Sequence, residues 1–211
     1  MKNYFKIFVY SIVAIAYSCA VAGSFEDFFI AIRNDNASVV NNLLDRGFEI
    51  NARDAKGQPG LTIAMQEHSL NAARALLARP MVDVNALNQV GESALMMAAL
   101  KGDLAGVQLL LEHGAKVNQP GWSPLHYAAT GPEPKVVQLL LDRGAEIDAG
   151  SPNGSTPLMM AAQYGSEDSV MLLLARGADA KRRNQLELSA ADFARRSGRE
   201  ALVKRLEPLS R

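Results

Sequence analysis

The sequence predicts an all-α solenoid of about six helix-turn-helix repeats joined by short β-hairpin fingers. Three observations predict it. A segment of about 30 residues recurs along the chain, hydroxyls and prolines that start helices return at the same place in each copy, and glycines return where the second helix must stop. A period of this size signals stacked supersecondary units, because one unit cannot bury its apolar face alone.

In register, the clearest copies are GESALMMAALKGDLAGVQLLLEHGAKVN from Gly91, GWSPLHYAATGPEPKVVQLLLDRGAEID from Gly121 and GSTPLMMAAQYGSEDSVMLLLARGADAK from Gly154. Weaker copies flank them: GQPGLTIAMQEHSLNAARALLARPMVDVN from Gly57, a capping version from Phe25, and LSAADFARRSGREALVKRLE from Leu188. The expected repeats span residues 24–53, 54–87, 88–117, 118–150, 151–183 and 184–211.

Each copy explains itself residue by residue. Ser93, Ser123, Thr156 and Ser189 precede a helical pattern, where a hydroxyl accepts an orphan backbone N–H; Pro124 and Pro157 sit at the first helical position, which tolerates a missing donor. Ala98-Ala99, Ala128-Ala129 and Ala161-Ala162 give the first helix a flat side on which a neighbour lies closely. Leucines 109–111, 139–141 and 172–174 fill the second helix. Gly47, Gly114, Gly144 and Gly177 follow it, where a left-handed residue ends the helix. The end copies are expected to carry polar outer faces, with Asn34, Asp35, Asn36, Asn41 and Asn42 at one end and Arg195, Arg196, Arg199, Lys204 and Arg205 at the other.

The stretches Ser123-Pro124-Leu125-His126-Tyr127-Ala128-Ala129 and Leu173-Leu174-Ala175-Arg176-Gly177-Ala178-Asp179 resemble the TPLHxAA and LLxxGADVN signatures of the ankyrin repeat family. The resemblance covers essentially everything after residue 22. It implies a binding scaffold that presents finger tips and first-helix surfaces along a concave face to a protein partner. Its exposed, variable slots fall on Lys56, Gln58, Gln66, Glu67, Gln89, Val90, Glu92, Leu100, Lys101, Gln119, Trp122, Thr130, Asn153, Ser155, Gln163, Tyr164, Arg182 and Arg183. These are the candidate partner-binding residues.

Departures from the pattern carry information too. The second copy replaces the Thr-Pro start with Pro59-Gly60 and puts His68 where a turn glycine belongs, so its helices are expected to be poorly defined at their ends. Leu95 and Leu125 are only 30 residues apart, so the finger Asn118-Gln119-Pro120-Gly121-Trp122 is short by three. Trp122, the one tryptophan, then either fills the gap as a plug or stands at the mouth of the concave face as an anchor, joined by Leu100 and Tyr164.

The first 22 residues differ in kind. Lys2 and Lys6 precede an apolar run from Ile7 to about Ala16, and Ala20-Val21-Ala22 offers the small residues signal peptidase requires, so residues 1–22 read as a cleavable secretory signal. A lipoprotein signal would instead acylate Cys19, but Ala16-Tyr17-Ser18 lacks the usual leucine and places a bulky tyrosine ahead of it; an uncleaved anchor would need about 20 apolar residues. Cutting after Ala22 removes the single cysteine and leaves a mildly acidic, thiol-free chain destined for the periplasm or the exterior.

Composition excludes other classes. With 22 basic and 22 acidic residues there is no surplus to draw the chain onto nucleic acid, and 48% hydrophobic residues suffice for a packed interior. No HExxH, CxxC or phosphate-loop pattern occurs. His126 falls where repeats of this kind tie adjacent turns together, while Met96-Met97 and Met159-Met160 occupy equivalent first-helix slots and read as packing in preference to soft-metal ligands. The basic Lys181-Arg182-Arg183 cluster, followed by Arg195-Arg196 and Arg199, reads as a solvated capping face in preference to a site for an acidic partner or phospholipid head groups. The expectation is a non-enzymatic, monomeric protein binder with no cofactor, no metal, no nucleic-acid partner and no stable membrane insertion after signal cleavage. An inhibitor or immunity-type protein that blocks a toxin or enzyme is the alternative, and a small enzyme or metal carrier the remote one.

Overall fold

The computed structural model describes residues 23–210, so the expected signal segment, with Cys19 and its cleavage site, lies outside the described residues. The chain divides into two compact units, one ending at Val82 and the other beginning at Asp83.

The first unit contains α1, whose described part runs over residues 23–33, α2 (Ala37–Asp45), α3 (Gly60–Gln66) and α4 (Leu70–Leu77). Phe28 and Ile32 are fully buried, and the Phe28 ring lies 4.4 Å from that of Phe48. The amphipathic α2 buries Val40 and Leu43 and is capped by Asn36, whose side-chain oxygen accepts from the Val39 N–H. The Asp35 carboxylate accepts from the Ala72 N–H at 2.9 Å and the Asn71 amide at 2.7 Å, capping the start of α4 from the preceding copy. The second copy's weak start is visible: Pro59 gives α3 no side-chain cap.

The second unit holds α5 (Ala94–Lys101), α6 (Leu104–Glu112), α7 (Pro124–Thr130), α8 (Pro134–Asp142), α9 (Pro157–Tyr164), α10 (Glu167–Ala175), α11 (Ala190–Arg196) and α12 (Glu200–Leu206), closed by a 3-10 turn at Glu207–Leu209. The first helices α5, α7, α9 and α11 stack in one row, and α6, α8 and α10 in a second row behind them. The alanine pairs 98-99, 128-129 and 161-162 are wholly buried between stacked first helices. Leu95, Leu125 and Leu158 fill the same core slot in successive copies at 0–1% exposure, each burial stabilising by about 1.5–3 kcal/mol.

One slot shows how loosely the pattern specifies chemistry. The backbone N–H that precedes each first helix of this unit donates to the side chain three residues on: Ser93 to Met96 Sδ, Ser123 to His126 Nδ1, Thr156 to Met159 Sδ, Ser189 to Asp192 Oδ2. A thioether, an imidazole and a carboxylate thus do the same capping task. Met96 and Met159 are buried at 0–1% exposure, in line with packing.

Successive copies are tied by side-chain amides. Asn85 accepts from the Lys116 N–H and donates to the Gly114 carbonyl; Asn118 does the same with Glu146 and Gly144.

The fingers differ from the hairpins expected. Among the described residues the only sheet pairing is an isolated antiparallel bridge between Arg53 and Pro59. Each finger keeps only a short backbone closure, Asp54 N–H to Gln58, Asn88 to Glu92 and Asn184 to Leu188, and the side chains of Asp54, Asn88 and Asn184 each accept two further backbone N–H groups from residues two and four further on, leaving few donors for a ladder. Arg199, expected on the polar outer face, instead reaches inward and donates to the Ala161 and Ala162 carbonyls at the end of α9.

Candidate functional site

The three residues missing before Trp122 determine its surroundings. Asn85 and Asn118 hold equivalent positions, yet Glu92 follows the first by seven residues and Trp122 the second by four. The lost residues are those that carry the turn acceptor, supplied in the neighbouring finger by Asn88. No finger tip covers the indole, and it remains 38% exposed.

Trp122 stands edge-on to His126, with ring centroids 5.3 Å apart. His126 is itself buried, and its hydrogen bonds fix its state. Ser123 donates its N–H to Nδ1, so that nitrogen carries no proton, and Nε2–H donates to the Ser155 carbonyl of the next copy at 2.9 Å. Burial lowers the imidazole pKa below its ordinary value, against an opposing effect of the Ser155 carbonyl. The ring is a neutral tie between fingers and the wall on which the indole rests.

Two hollows open beside Trp122. One, of about 210 Å³, is lined by Leu100, Trp122, His126, Tyr127, Thr130 and Met160. The other, of about 300 Å³, has Trp122, Met160, Tyr164, Leu186, Leu188 and Phe193 as its apolar lining, with Asn153, Ser155, Gln163, Asn184 and Arg196 among them. Trp122 and Met160 belong to both hollows. Tyr164 at 59% and Leu186 at 66% exposure leave a large apolar area open to solvent.

The candidates from the sequence are distributed unevenly over this surface. Leu100, Trp122, Thr130, Asn153, Gln163 and Tyr164 line the hollows. Lys101, Gln89, Val90, Arg182 and Arg183 are exposed without lining them, Val90 at 78% exposure. Gln119 is half-buried and donates to the Gly91 carbonyl. Glu92 is occupied: the Tyr127 hydroxyl and the Asn88 amide both donate to it, and burial, reinforced by this carboxylate, pushes the Tyr127 pKa well above its ordinary value. Gln66 and Glu67, with Lys56 and Gln58, belong to the first unit. Ser155 is a correction. It is 1% exposed, because its hydroxyl accepts from the buried Asn184 and its N–H is taken by Ser151 and Asn153.

Four apolar residues were missed, and Arg196 was read first as part of a solvated face. Phe193 and Met160 hold the slot of Tyr127, Leu186 that of Val90, Leu188 that of Trp122, and Arg196 that of Leu100, Thr130 and Gln163. Carrying the slots through the final copy would have found all but Met160 and Phe193, whose slot reads as core from its alternation alone.

A family model described as "Ankyrin repeats (3 copies)" matches residues 28–120, 73–151, 117–184 and 133–206. An ankyrin repeat-containing protein of Treponema pallidum is 35% identical over 81% of this chain, which spans about half of that protein (48%). The ankyrin repeat protein YahD of Escherichia coli is 34% identical over 72% of this chain and 63% of its own length. Among solved structures, a chain of the complex between a predatory endopeptidase of Bdellovibrio bacteriovorus and an immunity protein superposes with a TM-score of 0.75 at 25% identity, over 86% of this chain and 97% of that one.

Proposed function

Since the chain belongs to the ankyrin repeat family, whose repeats bind proteins, we propose that it is an exported scaffold that docks a protein partner on the face around Trp122. The observation that carries this reading is the part-exposed indole between two hollows, flanked by the exposed side chains of Tyr164 and Leu186. Buried aromatic anchors surrounded by weaker contacts dominate interface energetics. Among the described residues no helix is long and apolar enough to cross a membrane.

A second reading, an inhibitor or immunity-type protein that blocks a toxin or enzyme, draws support from the likeness to the endopeptidase–immunity complex.

Capture from the envelope of the native host with the tagged full-length chain, alongside its Trp122→Ala variant, tests the scaffold. A partner held by the parent and lost by the folded variant supports it. A lowered melting temperature with unchanged capture makes Trp122 an internal plug and overturns the docking face. If the captured protein is an enzyme inactivated at one equivalent, the inhibitor reading prevails. Export with cleavage after Ala22 is tested on the same material: an N-terminus at Gly23 supports it, whereas one at Met1 overturns export and an acylated Cys19 overturns the cleavage site.

A further inference from the structure

The two hollows beside Trp122 share one electrostatic property. Of all the residues that line them, Arg196 alone is charged, since the buried His126 accepts the Ser123 N–H at an unprotonated Nδ1, and no carboxylate contributes to either lining. Arg196 lies at the end of α11, exposed, and makes no ion pair among the described residues, whereas Arg195 beside it is held by Asp192 and Glu207. The cation therefore adjoins an apolar floor of Trp122, Met160, Tyr164, Leu186 and Phe193 without being neutralised there.

Resting on the protein-binding reading above, we propose that this face takes a surface loop of a folded protein that carries a large apolar side chain close to an aspartate or glutamate. The apolar side chain seats against Trp122 and Met160, and the carboxylate pairs with Arg196. Size supports a side chain over a small molecule: hollows of about 210 and 300 Å³, open on one side, are at or below the lower limit of about 300 Å³ for pockets that enclose a drug-sized ligand. Charge supports an acid: a guanidinium at the rim of an apolar surface binds a planar carboxylate with two parallel hydrogen bonds and repels a basic loop. At the same rim Gln163 supplies an amide donor and acceptor to the loop's backbone, and Asn153, whose side-chain oxygen already accepts from Ser151 and Ser155, supplies an amide donor.

The test is selection of a displayed library of random loops, each constrained between two cysteines in a disulfide ring, against the purified chain. Parallel selections use Arg196→Glu, Trp122→Ala and Tyr164→Ala, each first shown by circular dichroism to melt as the parent does; all three side chains are exposed. The proposal expects an apolar residue next to Asp or Glu among the enriched loops, at least about tenfold weaker binding of those loops to Arg196→Glu, and a switch of the Arg196→Glu selection towards Lys or Arg. Loss of enrichment with Trp122→Ala and Tyr164→Ala is expected as well. Enriched loops without an acid, or an unchanged preference with Arg196→Glu, overturn the carboxylate assignment. Enrichment insensitive to Trp122→Ala overturns the docking face but leaves protein binding elsewhere on the chain intact. No enrichment with any variant removes both the proposal and the reading on which it rests.

Discussion

A methyl group on Gly165 would lie 2.0 Å from the carbonyl oxygen of Ala129, so the chain leaves α9 through a gap that admits no side chain. Its φ of −82° is open to any residue, and the requirement is space alone. Gly131 repeats the relationship one copy earlier, where a Cβ would come within 2.8 Å of the Ala99 carbonyl. Gly144 is the opposite case: φ is +85°, and nothing lies within 4 Å of an added Cβ. Gly165→Ala is expected to cost about 3 kcal/mol or more, because backbone must move, and Gly144→Ala about 1 kcal/mol from its left-handed geometry. Urea midpoints of the two variants check the order; equal losses would show that α7 and α9 separate without resistance.

His126 gives the array a pH dependence of definite sign. Its folded pKa lies below the ordinary 6.5, so the unfolded chain binds a proton that the folded chain resists. The stability it contributes is present above about pH 6.5 and is lost as pH falls towards the lowered folded value, by up to about 1.4 kcal/mol per pH unit. Denaturation curves taken at intervals from pH 7.5 to pH 5 are expected to show this fall in the parent and a shallower one in His126→Gln. Parallel profiles would place the acid sensitivity in other groups.

Thr62 lies wholly buried in α3, and its hydroxyl has no hydrogen-bond partner among the described residues. Desolvating a hydroxyl without compensation costs free energy, and valine has nearly the same shape. Thr62→Val is therefore expected to raise stability by about 1 kcal/mol. A higher urea midpoint with an unchanged slope is the supporting result, and a lower midpoint would mean that the hydroxyl is satisfied in solution.

Glu187 takes the finger position that Gly91, Gly121 and Gly154 hold in earlier copies, with φ at +56°. A residue with a Cβ is strained there, so Glu187→Gly is expected to stabilise the last copy by about 0.5–1 kcal/mol. Thermal melts of the two proteins decide it; a lowered melting temperature would reveal a contact of the Glu187 side chain worth more than the strain.

Helix positions were legible because hydroxyl, proline, alanine pair and glycine each answer a local backbone demand. The shortened finger beside Trp122 was legible too, as a count of three absent residues, although whether the ring filled the gap or stood open was not. What the sequence withheld depends on neighbours one copy away. Ser155 sits at a slot the family leaves exposed, yet the buried Asn184 amide closes over its hydroxyl. Arg199 looks like surface charge until the α9 carbonyls it reaches are placed beside it. Arg196 and Arg195 are adjacent in sequence and opposite in circumstance, one without an ion pair among the described residues and the other held by two carboxylates.

The amides of Asn85 and Asn118 each grip one carbonyl and one N–H of the following copy, and they do so identically although seven residues separate the first from its finger's end and four the second. The rise from copy to copy is therefore gauged upstream of the finger, and finger length is free of it. Insertions and deletions at the tips can accumulate during divergence without disturbing the stack, which makes the tips the cheapest place for such a protein to change what it recognises. The gap that bares Trp122 is one such edit.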